Sequence, residues 1–97
     1  MSTPGEGPSV GIDVSKHSLE WASAPEGKIQ HVLNEPRPIA ALVHHLVSLG
    51  PERIVVESTG GYERKLVAKL TEAGLPVVVV NPRRVRSFGE GMGMLAK

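Results

Sequence analysis

The sequence predicts an α/β fold in which a mixed sheet of five strands is flanked by helices. Three β-rich segments separated by short turns occupy the first part of the chain, and two amphipathic segments alternate with two apolar ones after it. A length of 97 residues fits one domain, and a composition of 40% hydrophobic and 22% charged residues is typical of a globular one.

The first part of the chain is expected to form a leader and a three-stranded meander. Residues 1–9 combine Pro, Gly, Ser and Thr and are predicted to be a flexible leader before a domain at residues 10–97. β-Branched and aromatic residues predict strands at residues 10–14, 19–24 and 28–33. The connections between these strands are short, which favours antiparallel pairing.

A first helix and a fourth strand follow. Apolar residues recur with helical spacing at Ile39, Leu42, Val43, Leu46 and Val47. Pro38 lies near the first turn of this helix, and Gly50 with Pro51 ends it. Residues 53–56 then form a compact apolar strand that ends at Glu57.

The second amphipathic segment predicts another helix, with Gly74 as its C-cap. Its apolar face comprises Tyr62, Leu66, Leu70 and Ala73. Residues 77–80 are four valines, the pattern of a parallel strand that is buried on both faces. Asn81 and Pro82 stop this strand, and a further helix is expected to start at Arg83.

The order of elements is therefore β-β-β-α-β-α-β. Helical crossovers require the third, fourth and fifth strands to run parallel, with right-handed connections. The meander makes the first strand parallel to the third, and the second strand antiparallel to both. This is the topology of a ribonuclease H-like domain.

Composition excludes several classes of function. The sequence has no cysteine, which excludes disulfides, cysteine–zinc sites and thiol catalysis. No apolar run approaches the roughly 18–20 residues of a membrane span, and residues 1–7 do not form a secretory signal. We therefore expect a cytoplasmic protein with no membrane partner.

Charge is distributed unevenly along the chain. Residues 1–80 carry seven Lys or Arg against nine Asp or Glu, whereas residues 81–97 carry four against one. A basic end on a mildly acidic body suggests contact with a polyanion, and a solvated helix face is the alternative.

Three strands are predicted to end in polar residues at one edge of the sheet, namely Asp13, Glu57 and Asn81. Ligands gather beyond the carboxyl ends of parallel strands. Two carboxylates on neighbouring strands repel each other, and a divalent cation such as Mg²⁺ or Mn²⁺ relieves that repulsion. We therefore expect Asp13 and Glu57 to form a metal site.

Each feature of this edge also has a purely structural interpretation. Asp13 could cap a helix or turn with Ser15 or Lys16 as neighbours, and Glu57 could form an ion pair with Arg53 or a lysine. The two glycines after Glu57 could leave backbone N–H groups free to bind a phosphate, or they could form an ordinary tight turn.

Three ordered motifs resemble a known family. Residues 11–16 (GIDVSK), 57–63 (ESTGGYE) and 79–82 (VVNP), the last followed by Arg83 and Arg86, resemble the N-terminal DEDD domain of the insertion-sequence-one-ten family transposases. These enzymes are related to Piv-type DNA invertases and have a RuvC-like, ribonuclease H-like fold. The resemblance extends from the first strand to the end of the sequence.

The resemblance implies a Mg²⁺-dependent catalytic site of four carboxylates, in which Asp13 and Glu57 match the first two. In the family the other two belong to a helix that begins at an Ala-Lys-Thr-Asp stretch, whereas this sequence ends at Ala96-Lys97. We expect the chain to be a transposase fragment that lacks this helix and the family's C-terminal domain, which carries a serine implicated in strand exchange. The fragment is therefore expected to be inactive by itself.

The resemblance also implies partners. Family members cleave and exchange strands of DNA, act as oligomers and are directed by a structured noncoding guide RNA. Arg83, Arg84 and Arg86 follow the third motif and are expected to bind nucleic-acid phosphates. Lys16 and Thr59 lie in the first and second motifs and are assigned the same partner.

Two other classes of protein remain as alternatives. A sugar-kinase or actin-like ATPase opens with a similar Gly-Ile-Asp strand, but usually places a glycine soon after that aspartate, and residues 14–17 contain none. Affinity for ATP with Mg²⁺, rather than for duplex DNA, would favour this class. A non-catalytic nucleic-acid-binding or oligomerisation module would bind nucleic acid without any dependence on metal.

Overall fold

A computed structural model describes residues 7–24, 27–58 and 60–80. Five strands form one sheet in the order β3-β2-β1-β4-β5. The elements are β1 (Ser9–Val14), β2 (Ser18–Ala24), β3 (Gln30–Leu33), α1 (Pro36–Leu49), β4 (Arg53–Ser58), α2 (Arg64–Glu72) and β5 (Val77–Val80). The predicted α/β class and the order of elements are confirmed.

The sheet is mixed, as the sequence predicts. β2 pairs antiparallel with both β1 and β3, so the first three strands form a meander. β4 pairs parallel with both β1 and β5, and the helices α1 and α2 provide the crossovers that parallel pairing requires. This arrangement brings β1 to the centre of the sheet, between β2 and β4.

One face of the sheet carries the hydrophobic core. Alternate residues of β1, β2 and β4 are buried there against α1 and α2, and the two helices also contact each other. The buried side chains are Val10, Ile12, Val14, Leu19, Trp21, Ile39, Leu42, Leu46, Ile54, Val56, Leu66 and Leu70. Because strand side chains alternate between faces, the intervening residues of β1, β2 and β4 lie on the opposite face, which neither helix covers.

α1 shows how helical spacing limits the width of a buried face. Ile39, Leu42 and Leu46 are buried as predicted, but Val47 is 51% exposed, so its predicted place in the core is wrong. At about 100° per residue, Val47 lies roughly 100° around the helix axis from Leu46, which is beyond the contact face. The helix ends at Leu49, and its C-cap Gly50 has a φ of 65°, the left-handed conformation that glycine adopts without strain.

α2 is shorter than the predicted helix. Leu66 and Leu70 are buried, but Tyr62 precedes the helix and is 43% exposed, and Ala73 is an exposed C-cap. Gly74 follows the C-cap with a φ of 77°, and its N–H donates to the Thr71 carbonyl while the next N–H donates to the Leu70 carbonyl. This pair of bonds is a Schellman motif, which satisfies carbonyls at the helix end.

Two strands differ from their predicted form. β5 spans the predicted residues, but Val78 is 47% and Val79 49% exposed, so burial on both faces is wrong. The reason is that β5 has one strand neighbour among the described residues, and both helices lie on one face. β3 begins at Gln30 rather than residue 28 because its ladder with β2 ends at the Trp21–Gln30 pair, and Ile29 is 63% exposed.

None of the helices in the described ranges is both long enough and apolar enough to span a membrane. Residues 1–6 of the predicted leader and the helix expected from Arg83 lie outside the described residues.

Neighbouring residues of α1 test the assignment of the core. Leu46→Ala should lower the free energy of unfolding by about 2–5 kcal/mol, because it leaves a cavity in a fully buried position. Val47→Ala should change it by less than about 0.5 kcal/mol, because that side chain is half exposed. Urea denaturation followed by circular dichroism measures both values, and equal losses would contradict the assignment.

Candidate functional site

Asp13 and Glu57 are register partners on adjacent parallel strands. The β1–β4 ladder pairs them one residue before it ends at Val14 and Ser58. Neighbouring strands lie about 4.7–4.9 Å apart, so the two backbones are in direct lateral contact. The structure therefore brings together the two carboxylates that the sequence singles out, near the carboxyl ends of their strands.

The alternation of each strand places both side chains on the face that the helices leave open. Asp13 stands between the buried residues Ile12 and Val14, and Glu57 follows the buried Val56. A strand that buries its apolar residues must direct the residues between them to the other face. Asp13 is accordingly exposed, and Glu57 is half-buried.

A third carboxylate belongs to the same row. Glu20 on β2 is the register partner of Asp13, so Asp13 lies between Glu20 and Glu57 across three strands. The row continues to β3, where His31 pairs with Glu20 and its Nδ1 lies 3.5 Å from the Glu20 Oε2. Sequence reasoning missed Glu20. Its position between the apolar Leu19 and Trp21 indicates that it lies on the face opposite the core. Its pairing with Asp13 could be predicted only from the register between β1 and β2.

A shallow groove of about 290 Å³ runs beside this row. Its floor includes Gly11, which is the register partner of both Ala22 and Val55. A Cβ atom built at Gly11 would have no atom within 4 Å, so no close contact requires glycine at this position. The absence of a side chain there makes this part of the groove deeper. The groove thus combines the acidic row with small and apolar residues, among them Gly11, Ala22 and Val55.

The structural interpretations of the two carboxylates are not supported. Arg53 lies about four residues, or about 13 Å, from Glu57 along β4, and its guanidinium is instead 3.5 Å from the Glu52 carboxylate. The Ser15 hydroxyl donates to the Ser18 carbonyl rather than meeting Asp13. Neither Asp13 nor Glu57 has an ion pair or side-chain hydrogen bond to any other described residue.

The donor chemistry fits a hard divalent cation, but only in part. Two carboxylates offer the oxygen ligands that Mg²⁺ and Mn²⁺ prefer, and these ions usually retain several waters. The described residues contain no group of three or more His, Cys, Asp or Glu that could hold a metal ion. Asp13 and Glu57 therefore fit such an ion as a partial ligand set, which water and phosphate oxygens would complete.

Asn34, which the sequence analysis did not single out, lies at the same edge of the sheet. Its Nδ2 donates to the Ser15 carbonyl over 2.9 Å and to the Tyr62 carbonyl over 3.3 Å. Ser15 begins the turn after β1, and Tyr62 belongs to the loop after β4, so one side chain joins two loops. No local sequence pattern signals such a contact, because its partners lie 19 and 28 residues away.

The expected nucleic-acid contacts are largely outside the described part of the chain. Lys16 is exposed in the turn between β1 and β2, three positions after Asp13. Thr59, Arg83, Arg84 and Arg86 lie outside the described residues, as does Asn81. The loop between β4 and α2 includes Gly61. Its φ of 78° lies in the left-handed region, which glycine adopts without steric strain.

Comparison with known proteins gives one family. The model of the DEDD transposase domain of the IS110 family, described as Transposase, matches residues 10–97. The matched range contains Asp13, Glu20 and Glu57 and favours a transposase over the sugar-kinase or actin-like ATPase alternative. No curated protein matches the chain.

Removal of charge from the acidic row should stabilise the metal-free protein. Asp13→Asn should raise the free energy of unfolding more than Glu57→Gln, because Asp13 has a carboxylate partner on both sides. Each gain is expected to be about 0.2–1 kcal/mol, the scale of like-charge pairs across strands, and to shrink at high salt.

Urea denaturation in the presence of a chelator measures this effect. Glu72→Gln is the control, because the Glu72 carboxylate lies 3.7 Å from the Lys69 Nζ and its neutralisation removes an attraction instead. Loss of stability in both Asp13→Asn and Glu57→Gln would show that the row is not repulsive.

Proposed function

Since the chain belongs to the DEDD transposases of the IS110 family, we propose that Asp13 and Glu57 hold a divalent cation with which the full transposase cleaves and exchanges DNA strands. The observation that supports this most directly is the pairing of the two carboxylates on adjacent parallel strands. DNA is the partner that a transposase domain implies.

The environment of the carboxylates suits this role. Both belong to strands whose other faces contribute to the hydrophobic core, so the core holds their backbones in place. Neither α1 nor α2 covers their own face, and the groove beside them is lined in part by Gly11, which has no side chain. A nucleic-acid backbone could therefore approach the pair without displacement of α1 or α2, the two helices of the described ranges. A bound Mg²⁺ would polarise a phosphoryl oxygen and lower the pKa of bound water.

Two carboxylates are a minimal ligand set for such chemistry. Asp13 is the sole aspartate of the sequence, whereas the family motif has three. A cation held by Asp13 and Glu57 alone would be poorly restrained, and a geometric error of about 1 Å can cost about a hundredfold in rate. We therefore propose that a polypeptide of these 97 residues binds metal weakly and does not cleave DNA.

The proposed partners extend beyond the metal. Arg83, Arg84, Arg86, Lys16 and Thr59 are proposed to contact nucleic acid, and the cationic ones to contact its phosphates. A structured guide RNA and further copies of the chain are proposed partners of the full transposase, since the resemblance of residues 11–16, 57–63 and 79–82 implies them.

Metal binding can be tested by thermal stability. Mg²⁺ or Mn²⁺ at millimolar concentration should raise the melting temperature of the wild-type chain. The free energy of unfolding should increase by about 0.4 kcal/mol when the ion concentration equals its Kd. Asp13→Asn and Glu57→Gln should abolish the increase, and Glu72→Gln should retain it. The same chain should show no Mg²⁺-dependent cleavage of duplex or branched DNA.

Two outcomes would contradict this proposal. A metal-induced increase that survives both substitutions would place the cation elsewhere. Robust cleavage that is abolished in Glu57→Gln would show that two carboxylates suffice.

Nucleic-acid binding can be tested by its dependence on salt. Simultaneous replacement of Arg83, Arg84 and Arg86 by alanine should weaken binding to duplex DNA of any sequence. The slope of log affinity against log salt should flatten by about 0.7–0.9 for each phosphate that the variant no longer neutralises. Fluorescence anisotropy over a series of salt concentrations measures that slope.

A matched control removes the same number of positive charges from described residues that lie away from Asp13 and Glu57. Lys28, Arg53 and Lys69 are exposed and lie before β3, at the start of β4 and near the end of α2. Their replacement by alanine should leave most of the affinity and slope unchanged. Equal losses in the two triple variants would indicate attraction by net charge rather than a defined contact.

A further inference from the structure

We propose that Asn34 is a positioning residue that holds the candidate metal ligands Asp13 and Glu57 in a fixed relative arrangement. Its carboxamide joins the segment that follows Asp13 to the segment that follows Glu57. This inference rests on the proposed function, because the arrangement matters only if the two carboxylates share a cation.

The side-chain nitrogen of Asn34 donates two hydrogen bonds. A carboxamide NH₂ has two protons, and the Asn34 Nδ2 donates to two carbonyls, that of Ser15 over 2.9 Å and that of Tyr62 over 3.3 Å. The Asn34 backbone N–H also donates to the His17 carbonyl over 2.9 Å. Asn34 is thus tied to the β1–β2 turn by two bonds and to the β4–α2 loop by one.

The Asn34 hydrogen bonds join the two segments just beyond the last paired residues of β1 and β4. The parallel ladder between β1 and β4 ends at the Val14–Ser58 pair, one position beyond Asp13 and Glu57. Ladder ends open more readily than ladder centres because they have fewer neighbours. Among the described residues, the Asn34 carboxamide is the side chain that links the continuations of both strands.

The two joined segments differ in their need for a restraint. The β1–β2 turn has its own hydrogen bonds, since both the N–H and the hydroxyl of Ser15 donate to the Ser18 carbonyl. The β4–α2 loop contains Gly60 and Gly61, and glycine has the largest backbone freedom to lose. The Asn34 bridge therefore joins the glycine-containing part of the β4–α2 loop, at Tyr62, to a turn that has its own hydrogen bonds.

This arrangement predicts an effect on metal affinity that is separate from folding stability. Loss of the bridge should let the end of the β1–β4 ladder, one position beyond Asp13 and Glu57, open more often. Residues that orient metal ligands typically change affinity by 10–100-fold when mutated. Since Asn34 bonds to backbone carbonyls of the neighbouring segments and not to the carboxylates themselves, we expect the lower end of that range, about tenfold.

The test compares Mn²⁺ affinity in variants of the full chain that are all kept well below their melting temperatures. Electron paramagnetic resonance measures free Mn²⁺ during a titration and so gives the Kd. Asn34→Ala removes the carboxamide, and Asn34→Leu removes its donors while retaining similar volume. Both should weaken binding about tenfold. Leu49→Ala, a half-buried position at the other end of α1, should lower the melting temperature without changing the Kd.

The outcomes separate this inference from the proposed function. A wild-type chain that does not bind Mn²⁺ contradicts the proposed function and, with it, the role of Asn34. Wild-type binding that persists unchanged in both Asn34 variants contradicts the role of Asn34 alone. Equal weakening by Leu49→Ala would reduce Asn34 to a contributor to general stability.

A measurement on the wild-type chain does not depend on whether the variants fold. Both Nδ2 protons of Asn34 should exchange slowly with solvent in nuclear magnetic resonance spectra, because both are engaged by carbonyls. The amides of Gly60 and Gly61 should exchange more slowly than those of a free glycine-rich loop. Fast exchange of both carboxamide protons would overturn the bridge itself.

Discussion

The pairing register of β1 is the constraint on which the rest of the molecule depends. Ile12 stands beside Trp21 and Val56 on the face that the helices cover, whereas the next residue, Asp13, stands beside two carboxylates on the open face. A slip of one residue in either ladder would move a carboxylate into the core and an apolar side chain out of it. The cost of burying an unpaired charge therefore maintains the core and the acidic row together.

The order of elements could be read from the sequence because it depends on local signals. Short turns indicated the meander, Gly50 and Gly74 indicated helix ends, and two amphipathic segments indicated the crossovers that make β4 parallel to its neighbours. The errors concern what covers a residue rather than which element it joins. Val47 and Val78 are apolar and suitably spaced, but exposure depends on the width of a packing interface and on the position of β5 in the sheet.

Some residues of the candidate site could be predicted from local sequence signals, whereas others depend on long-range pairing. Asp13 and Glu57 could be identified because each follows an apolar strand that must run parallel to the other. Glu20 could not be placed beside Asp13 without the register of an antiparallel pair, which a short turn does not specify by itself. The role of Asn34 could not be predicted from the sequence, because its hydrogen bonds join segments that are distant in sequence and leave no periodic pattern.

Gly11 shows that not every residue of the central strand serves the fold. A side chain there would meet no atom within 4 Å, and its backbone is ordinary extended strand rather than left-handed. Alanine would therefore fit and would be favoured by about 0.5–1 kcal/mol, because glycine loses more backbone entropy in a strand. Glycine at this position therefore lowers the free energy of unfolding slightly and leaves the surface beside Asp13 and Val55 without a side chain.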